Sequence, residues 1–384
     1  RGTKIDSRKF NLIGKGKSMS EITRGAACGV IVRVGVDLAK QVYQVHAVDR
    51  SERVVLARAM SPQKFLAWAA TLPAGCMVAM EACGGAHHLG RALRLLGLDP
   101  RLMAGHFVTP YRVQGRSGKN DANDAAAICE AAGRPRTRFV PIKSAAQQGV
   151  LSLHRLREGY KADRTGCINR LRGLLGEFGL VFPQSPEKLR AKLGETLEDA
   201  SNELPGDLRL GLQQLHLHWI HLDLQIHWCE QRIAQHARSN AQASAAMQLM
   251  GVGFITASAV AASVGDLKQF ANARQFAAWL GLVPSQHSSG GKASLGGITQ
   301  RGDAYLRTLL IQGAKSAVMT AEKRQDRISQ WLVQLKRRAG WQKTVVALAN
   351  KNARILWAVL TRGLSFDPNH VAPPPVRLAP ELAA

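Results

Sequence analysis

The sequence predicts an α/β domain followed by a mainly helical region. Between residues 30 and 132, short apolar runs typical of strands alternate with helical patterns, and from residue 145 apolar residues recur at helical spacing. The length of 384 residues allows two or three domains with a sizeable core. The formal net charge of +25 predicts a polyanionic partner, with nucleic acid as the default and an anionic membrane surface as the weaker candidate.

The secondary-structure elements of the first domain are predicted from the alternation of apolar and polar residues and from residues that interrupt strands and helices. Apolar or alternating runs predict five strands, at residues 30–39, 42–48, 53–60, 76–80 and 100–104. Helices follow the third, fourth and fifth strands: one opened by Ser61 and Pro62, one through Leu89 and Leu93, and one at 121–132. The order β-β-β-α-β-α-β-α is that of the ribonuclease H-like fold, with strands 1 and 4 adjacent at the centre of a mixed sheet.

Four acidic residues stand at strand ends and at a helix start in this order, namely Asp37, Glu81, Asp121 and Asp124. Asp121 or Asp124 alone would be a helix cap more often than not, and strand-end surface charges are the alternative for Asp37 and Glu81 alone. Together they would repel one another unless a cation lay between them. The combination favours a divalent-metal site, for Mg²⁺ or Mn²⁺, that serves phosphodiester chemistry.

The middle of the chain, residues 144–240, reads as two long helices at about 145–178 and 207–237. The apolar stripe of the first includes Leu153, Leu156 and Leu171, and its other face is basic. That basic face is either a solvated surface or a nucleic-acid contact, and the two interpretations are equally favoured. Five histidines in the second helix favour surface or packing roles over zinc, because no Cys or carboxylate completes a ligand set.

The third region, residues 241–364, begins with two glycines between apolar helices. Gly251 and Gly253 indicate a helix-hairpin-helix turn whose backbone N–H groups can hold a phosphate, although a purely structural turn has the same pattern. A Pro-Ser-Gln-His-Ser-Ser-Gly-Gly segment then predicts an exposed loop. A serine hydroxyl there could attack phosphorus, although most Ser-Gly loops are plain turns.

The remaining composition points to a cytosolic protein. The six cysteines form no C-x-x-C pair and are expected to be reduced thiols, and no apolar run reaches the roughly 18 residues of a membrane span. Residues 1–28 are predicted to be a basic disordered leader, and residues 365–384 a disordered tail rich in proline.

Taken together, these motifs resemble the DEDD-type insertion-sequence transposases, a class related to the Piv pilin-gene invertase and associated with bridge-RNA-guided recombination. The resemblance covers about residues 30–320. It is carried by Val36–Lys40, Met80–Gly84, Lys119–Ala125, the Gly251/Gly253 turn, Pro284–Gly290 and Ile298–Gly302.

The resemblance implies a RuvC-like catalytic domain at 29–143, a coiled-coil segment that mediates assembly, and a C-terminal transposase domain. It further implies a serine nucleophile that forms a phosphoserine link to DNA, matched by Ser289 and less well by Ser288. DNA, a structured guide RNA and a homo-oligomer, expected to be a tetramer, are the implied partners, in the cytoplasm of a prokaryote near its nucleoid. Residues expected to contact nucleic acid are Lys119, Arg155, Arg164, Arg170, Arg172, Gly251, Gly253, Lys292, Arg301 and Arg307.

Two other classes of function remain open from the residues. A metal-dependent, RuvC-like junction-resolving nuclease would use water as its nucleophile and leave the serine structural. A basic nucleic-acid-binding protein would leave the carboxylates without a catalytic role. The serine loop argues against the first alternative, and the layout of the four carboxylates argues against the second.

Overall fold

The computed structural model of the protein describes residues 29–112, 121–287 and 294–370. The chain divides into two compact units, and the division falls between Ile142 and Lys143. The N-terminal unit is a mixed α/β structure, and the C-terminal unit is helical apart from one short hairpin.

The N-terminal unit contains a six-stranded sheet. Its strands are β1 (Ile31–Leu38), β2 (Tyr43–Asp49), β3 (Val54–Met60), β4 (Met77–Glu81), β5 (Asp99–Met103) and β6 (Phe139–Val140). Its helices are α1 (Pro62–Ala69), α2 (Ala86–Leu95), α3 (Gly105–Val108) and α4 (Asp121–Ala132). The spatial order is β3-β2-β1-β4-β5-β6, and β1–β4 and β4–β5 are the parallel pairs.

This topology confirms the predicted mixed sheet and the adjacency of strands 1 and 4, and it is consistent with a ribonuclease H-like fold. The five predicted strands and three predicted helices are all present, with strand ends shifted by at most one residue and α4 at its predicted bounds. Two short elements, α3 and β6, were not predicted. Each is shorter than five residues, so neither carries enough periodicity to be recognised.

The strand period of two separates the sheet into two faces. Val36 of β1 and Met80 of β4 point into one core, which also contains side chains of α1 and α2. The residues on either side of them, Gly35 and Asp37 on β1, therefore face the opposite layer. That layer contains α4, whose Ile128 is fully buried in a second core.

Gly35 allows α4 to lie unusually close to β1. A Cβ atom at Gly35 would overlap the carbonyl oxygen of Ala125 and the backbone nitrogen of Cys129, both on α4. Only glycine lets two backbones approach in this way. The contact fixes the first turn of α4 above the end of β1, the end that carries Asp37.

The C-terminal unit contains nine α-helices, two short 3-10 helices and a β-hairpin within the residues that the structure describes. The helices are α5 (Ala145–Gly176), α6 (Pro186–Glu198), α7 (Gly206–Ser239), α8 (Ala241–Ala246), α9 (Phe254–Val264), α10 (Ala273–Trp279), α11 (Ala304–Thr320), α12 (Arg327–Ala339) and α13 (Trp341–Arg362). The hairpin strands are β7 (Pro284–Gln286) and β8 (Leu295–Ile298), which pair antiparallel between α10 and α11.

Helices α5 and α7 are the two predicted long helices, and they pack together with α6 around one apolar core. A capping box at Ser144 begins α5, since its hydroxyl and the Gln147 side chain satisfy each other's backbone N–H groups. The predicted stripe of α5 is wrong at Leu156, which is about half exposed. The 3.6-residue period places it on the outer side of a helix whose inner side is already filled.

A buried polar network joins four helices of the C-terminal unit. His154 of α5 is almost completely buried, and its ring nitrogens lie 2.9 Å from Tyr305 Oη and 3.0 Å from Ser258 Oγ. His236 of α7 reaches the same Ser258 hydroxyl at 2.9 Å. Burial lowers the pKa of His154 to about 4 and raises the pKa of Tyr305 to about 12, so both groups are neutral at pH 7.

The chain continues in ordered contacts after α13. The side chain of Phe366 packs against the core of this unit, and the backbone N–H of Arg327 donates to Asn369 Oδ1 over 3.2 Å. These contacts correct the predicted disordered tail at residues 365–370. Its remainder, residues 371–384, and the predicted leader, residues 1–28, lie outside the described residues. None of the helices in the described ranges is long and apolar enough to cross a membrane.

Candidate functional site

Three elements of the N-terminal unit bring the four predicted carboxylates to one edge of the sheet. The parallel register pairs Val36 with Met80, so Asp37 and Glu81 follow as the next residues on neighbouring strands. Asp121 and Asp124 occupy the first turn of α4, where the close contact at Gly35 holds that helix over β1. Strand pairing and helix packing therefore assemble residues that are up to 87 positions apart (124 − 37).

The electrostatics of the group show that the carboxylates influence one another. Burial raises the pKa of Asp37, and the negative charges of Asp124 and Asp121 raise it further. Burial also raises the pKa of Glu81, with Asp37 and Asp124 adding to the effect and the positive charge of Arg112 opposing it. The site therefore holds more negative charge than its surroundings compensate, a common property of functional sites.

Arg112 lies between two of the carboxylates. Its Nη2 donates a hydrogen bond to Glu81 Oε1 over 2.7 Å, and its Nε lies 2.7 Å from Asp124 Oδ1. The second contact is close, but its N–H direction does not meet hydrogen-bond geometry, and the buried Nε finds no acceptor among the described residues. We therefore treat it as an ion pair without a hydrogen bond.

Sequence reasoning did not single out Arg112. The residue follows a single 3-10 turn, Thr109–Tyr111, and belongs to no periodic element. Its two partners come from the end of β4 and the start of α4, so no local spacing indicates the pairing. Only the sheet topology reveals it.

The donor chemistry of the group suits a divalent cation such as Mg²⁺ or Mn²⁺, which prefers carboxylate oxygens. The repulsion that Asp124 and Asp121 exert on Asp37 also favours a bound cation. However, among the residues that the structure describes, no three Asp, Glu, His or Cys side chains stand close enough together to form a metal-binding group. Glu81 and Asp124 both face the guanidinium of Arg112 and do not converge on a common central point.

The predicted serine loop joins β7 and β8. Ser288, Ser289 and Lys292, and Lys119 in the N-terminal unit, lie outside the described residues. The ends of the loop are defined, because the backbone N–H of His287 donates to Ser294 O over 2.9 Å. The two strands thus place both ends of the predicted nucleophile segment side by side.

Two glycines fix the base of this hairpin. Gly281 and Gly302 both have positive φ, and a Cβ atom at either would overlap backbone carbonyl oxygens, those of Arg301 and Trp279 respectively. The backbone of residues 300–302 therefore lies directly against the end of α10. Arg307 reinforces this region by donating from Nη1 to Leu280 O over 3.0 Å.

The predicted nucleic-acid residues divide into exposed and engaged groups. Arg155, Arg170 and Arg301 are exposed. Arg164 pairs with Asp223 of α7 at 3.1 Å, and Arg172 donates to the carbonyl oxygens of Pro183 and Gln184, so both have roles within the unit.

The predicted glycine turn before α9 is present, and its two glycines differ in environment. Gly251 has a φ of +80° and crosses the backbone of Gly313 on α11, where a Cβ atom would overlap. That close backbone contact is sufficient to explain why residue 251 is a glycine. Gly253 precedes the first residue of α9 and has open space around it. A phosphate contact at this turn stays a prediction.

The raised pKa of Asp37 predicts a stability effect. Since the pKa is higher in the folded chain than in the unfolded one, the ionised carboxylate destabilises the fold at neutral pH, and the cost disappears near and below the ordinary Asp pKa of about 3.9. We expect Asp37→Asn to raise the thermal midpoint at pH 7 by a few degrees and to lose this advantage as the pH falls towards 4. Melting curves across this range check it.

Asp99→Asn serves as the control, because Asp99 pairs with Arg101 away from the carboxylate group. It is expected to give no increase at pH 7. A midpoint for Asp37→Asn below that of the wild type at pH 7 would contradict the account, because it would make the charge of Asp37 stabilising.

Comparisons with known proteins match this chain to transposases. A transposase family described as DEDD_Tnp_IS110 matches residues 34–179, and the "Transposase IS116/IS110/IS902 family" matches residues 243–329. A probable family 20 transposase of Pseudomonas aeruginosa is 49% identical over 337 residues, covering 88% of this chain and 98% of that protein.

Two further relatives extend the match. The transposase for insertion sequence element IS1111A of Coxiella burnetii is 40% identical over 86% of this chain and 89% of its own length. The transposase for IS1328 of Yersinia enterocolitica is 36% identical over 88% of this chain and 99% of its own length. The matches span both structural units at identities well above 30%, and the chain belongs to the IS116/IS110/IS902 family of transposases.

Proposed function

We propose that this transposase cuts and rejoins DNA with two separate groups of residues, the carboxylates Asp37, Glu81, Asp121 and Asp124 and the hydroxyl of Ser289. The observation that carries the proposal is the placement of the four carboxylates at one edge of β1 and β4, where burial and the charges of Asp124 and Asp121 raise the pKa of Asp37. Isolated caps or strand-end charges would not add to the raised pKa values of Asp37 and Glu81 in this way.

The carboxylates would hold Mg²⁺ or Mn²⁺, which when bound polarises the phosphate and stabilises charge on its oxygens. Asp37 and Glu81 are fixed by the sheet, and Asp121 and Asp124 by the packing of α4 on Gly35. A site built on strands and a packed helix keeps its groups in place better than one built on loops. The chain thereby supplies preorganised negative charge at a defined edge.

Ser289 would act as the nucleophile. Its Oγ forms a bond to phosphorus as one P–O bond of the DNA strand breaks, its proton passes to a base, and the released strand end takes up a proton. The new phosphoester conserves the energy of the broken bond, so rejoining needs no external energy source. The proposal rests on the resemblance and on the position of the segment between β7 and β8.

Nucleic acid is the proposed partner, both as DNA substrate and as a structured guide RNA. The net charge of +25 supports polyanion binding in general. Arg155 and Arg170 project from α5 as exposed cations, which suits phosphate contact. A guide RNA and assembly into a tetramer rest on the resemblance alone.

The carboxylate proposal predicts loss of strand cleavage. Asp37→Asn and Asp124→Asn each remove one negative charge with little change in size, and we expect Mg²⁺-dependent cleavage to fall at least ~100-fold, because metal polarisation contributes several kcal/mol to transition-state stabilisation. Asp99→Asn is the control and should cut normally. Cleavage of labelled element-end DNA at the wild-type rate by Asp37→Asn would refute the site.

The serine proposal predicts a covalent adduct that depends on one residue. Ser289→Ala should fold and bind DNA yet give no DNA-linked protein band on a denaturing gel, because no other group supplies the attacking oxygen. Ser285→Ala is the matched control from the same hairpin, where its Oγ donates to Gly297 O over 3.2 Å. It should form the adduct normally.

The outcomes of that gel separate the alternatives. An adduct that persists in Ser289→Ala but vanishes in Ser288→Ala moves the nucleophile by one residue. Free cut ends with no adduct in the wild type, at every time point, favour the hydrolytic junction nuclease.

The binding proposal predicts a change in salt dependence. Replacing both Arg155 and Arg170 with Gln should lower the slope of log affinity against log salt by about 1.4–1.8, as expected for two lost phosphate contacts. Arg58→Gln with Arg94→Gln removes the same charge from exposed sites elsewhere and should change the slope less. Equal changes would contradict a role for α5.

The same preparations test for RNA. Protein purified without nuclease should carry a discrete structured RNA. Recombination by protein that carries none would refute guidance.

A further inference from the structure

Arg112 lies against two members of the carboxylate group. Its guanidinium spans Glu81 on β4 and Asp124 on α4, two elements that no other described ion pair joins in this unit. The carboxylate side chains are roughly one-quarter exposed, and that of Arg112 is 39% exposed. The Arg112 guanidinium is therefore close enough to neutralise part of the negative charge of Glu81 and Asp124, and its side chain is exposed enough to move away from them.

The geometry of the two contacts is unequal. The Nη2–Glu81 contact is a hydrogen bond, whereas the Nε–Asp124 contact is a charge contact whose N–H is misdirected. A buried N–H without an acceptor is unfavourable, so this arrangement is weaker than a two-bond fork. Arg112 therefore holds Asp124 by an interaction that a stronger cation can replace.

A divalent ion and Arg112 would compete for the same oxygens. Mg²⁺ and Ca²⁺ bind carboxylate oxygens at about 2.0–2.6 Å, and two cations placed that close to one pair of carboxylates repel each other. Glu81 Oε1 and Asp124 Oδ1 both already face the guanidinium at 2.7 Å. Metal binding through these atoms requires the Arg112 side chain to withdraw.

The backbone that precedes Arg112 is held in a 3-10 turn, so the side chain can withdraw while this turn stays in place. The preceding 3-10 turn is closed by the Arg112 N–H, which donates to Thr109 O over 3.3 Å, and Thr109 Oγ1 donates to Gly105 O over 3.0 Å. Arg134 lies over the ring of the neighbouring Tyr111. The turn keeps the side chain beside the group while its guanidinium exchanges partners.

We propose that Arg112 is a built-in counter-ion that keeps Glu81 and Asp124 together when no metal is bound. A divalent cation must displace the Arg112 side chain in order to bind. The inference rests on the proposed metal role of the carboxylates. It makes Arg112 a positioning residue that sets the metal concentration the site requires. It also explains why the described side chains form no metal-binding group, since Glu81 and Asp124 are oriented towards Arg112.

The test measures Mn²⁺ binding to the full chain after chelator treatment. The electron paramagnetic resonance signal of free Mn²⁺ reports how much of the ion stays unbound. Arg112→Gln removes the competing charge, so its Kd for Mn²⁺ should be roughly tenfold lower than that of the wild type. Arg112→Lys keeps the charge but loses the planar fork, so its Kd should lie between the two. The control Arg101→Gln removes an ion pair of similar length, with Asp99, and should leave the Kd unchanged.

Thermal unfolding provides a second readout. Without metal, Arg112→Gln should melt below the wild type, because Glu81 and Asp124 lose their counter-ion. Saturating Mn²⁺ should raise its midpoint more than that of the wild type, as tighter ligand binding to the folded state requires.

These measurements distinguish failure of the counter-ion proposal for Arg112 from failure of the metal-site proposal. Equal or weaker Mn²⁺ binding by both Arg112 variants, with binding still lost in Asp37→Asn, overturns the counter-ion role and leaves the metal site intact. Equal Mn²⁺ binding by the wild type and Asp37→Asn overturns the metal site itself.

Discussion

The close approach of α4 to β1 at Gly35 is the constraint on which the rest of the candidate site depends. Without a Cβ atom at that position, the backbone of α4 rests directly on the strand, and its first turn stands over the end that carries Asp37. Parallel pairing of β1 with β4 adds Glu81 beside it. Any larger residue at Gly35 would lift α4 and separate the two aspartates of its first turn from the two strand-end carboxylates.

This assembly has an electrostatic cost that the chain offsets only in part. Burial and repulsion hold the pKa values of Asp37 and Glu81 above their ordinary ranges, and Arg112 opposes that trend through its charge. A group of like charges that a fold maintains at a cost in stability is typical of a site selected for function. We propose a cation-dependent step on phosphate as the reaction that this group serves in the transposase.

The element order β-β-β-α-β-α-β-α was sufficient to predict the mixed sheet and the adjacency of β1 and β4. It also placed the four acidic residues at strand ends and at a helix start. Arg112 could not be predicted, because its partners are remote in sequence and it belongs to no periodic element. Leu156 was misplaced because α5 is apolar on more of its surface than it buries, and periodicity does not say which apolar residues are covered. His154 and Ser258 meet only through the packing of α5 on α9.

The central claim is that the four carboxylates form a divalent-cation site, and anomalous diffraction from crystals of the full chain soaked in Mn²⁺ tests it most directly. The account predicts an anomalous peak about 2.0–2.6 Å from oxygens of Asp37 and at least one aspartate of α4, with the Arg112 guanidinium withdrawn from Asp124. Mn²⁺ peaks found elsewhere on the protein, with none at this edge of the sheet and Arg112 still bridging Glu81 and Asp124, would contradict it.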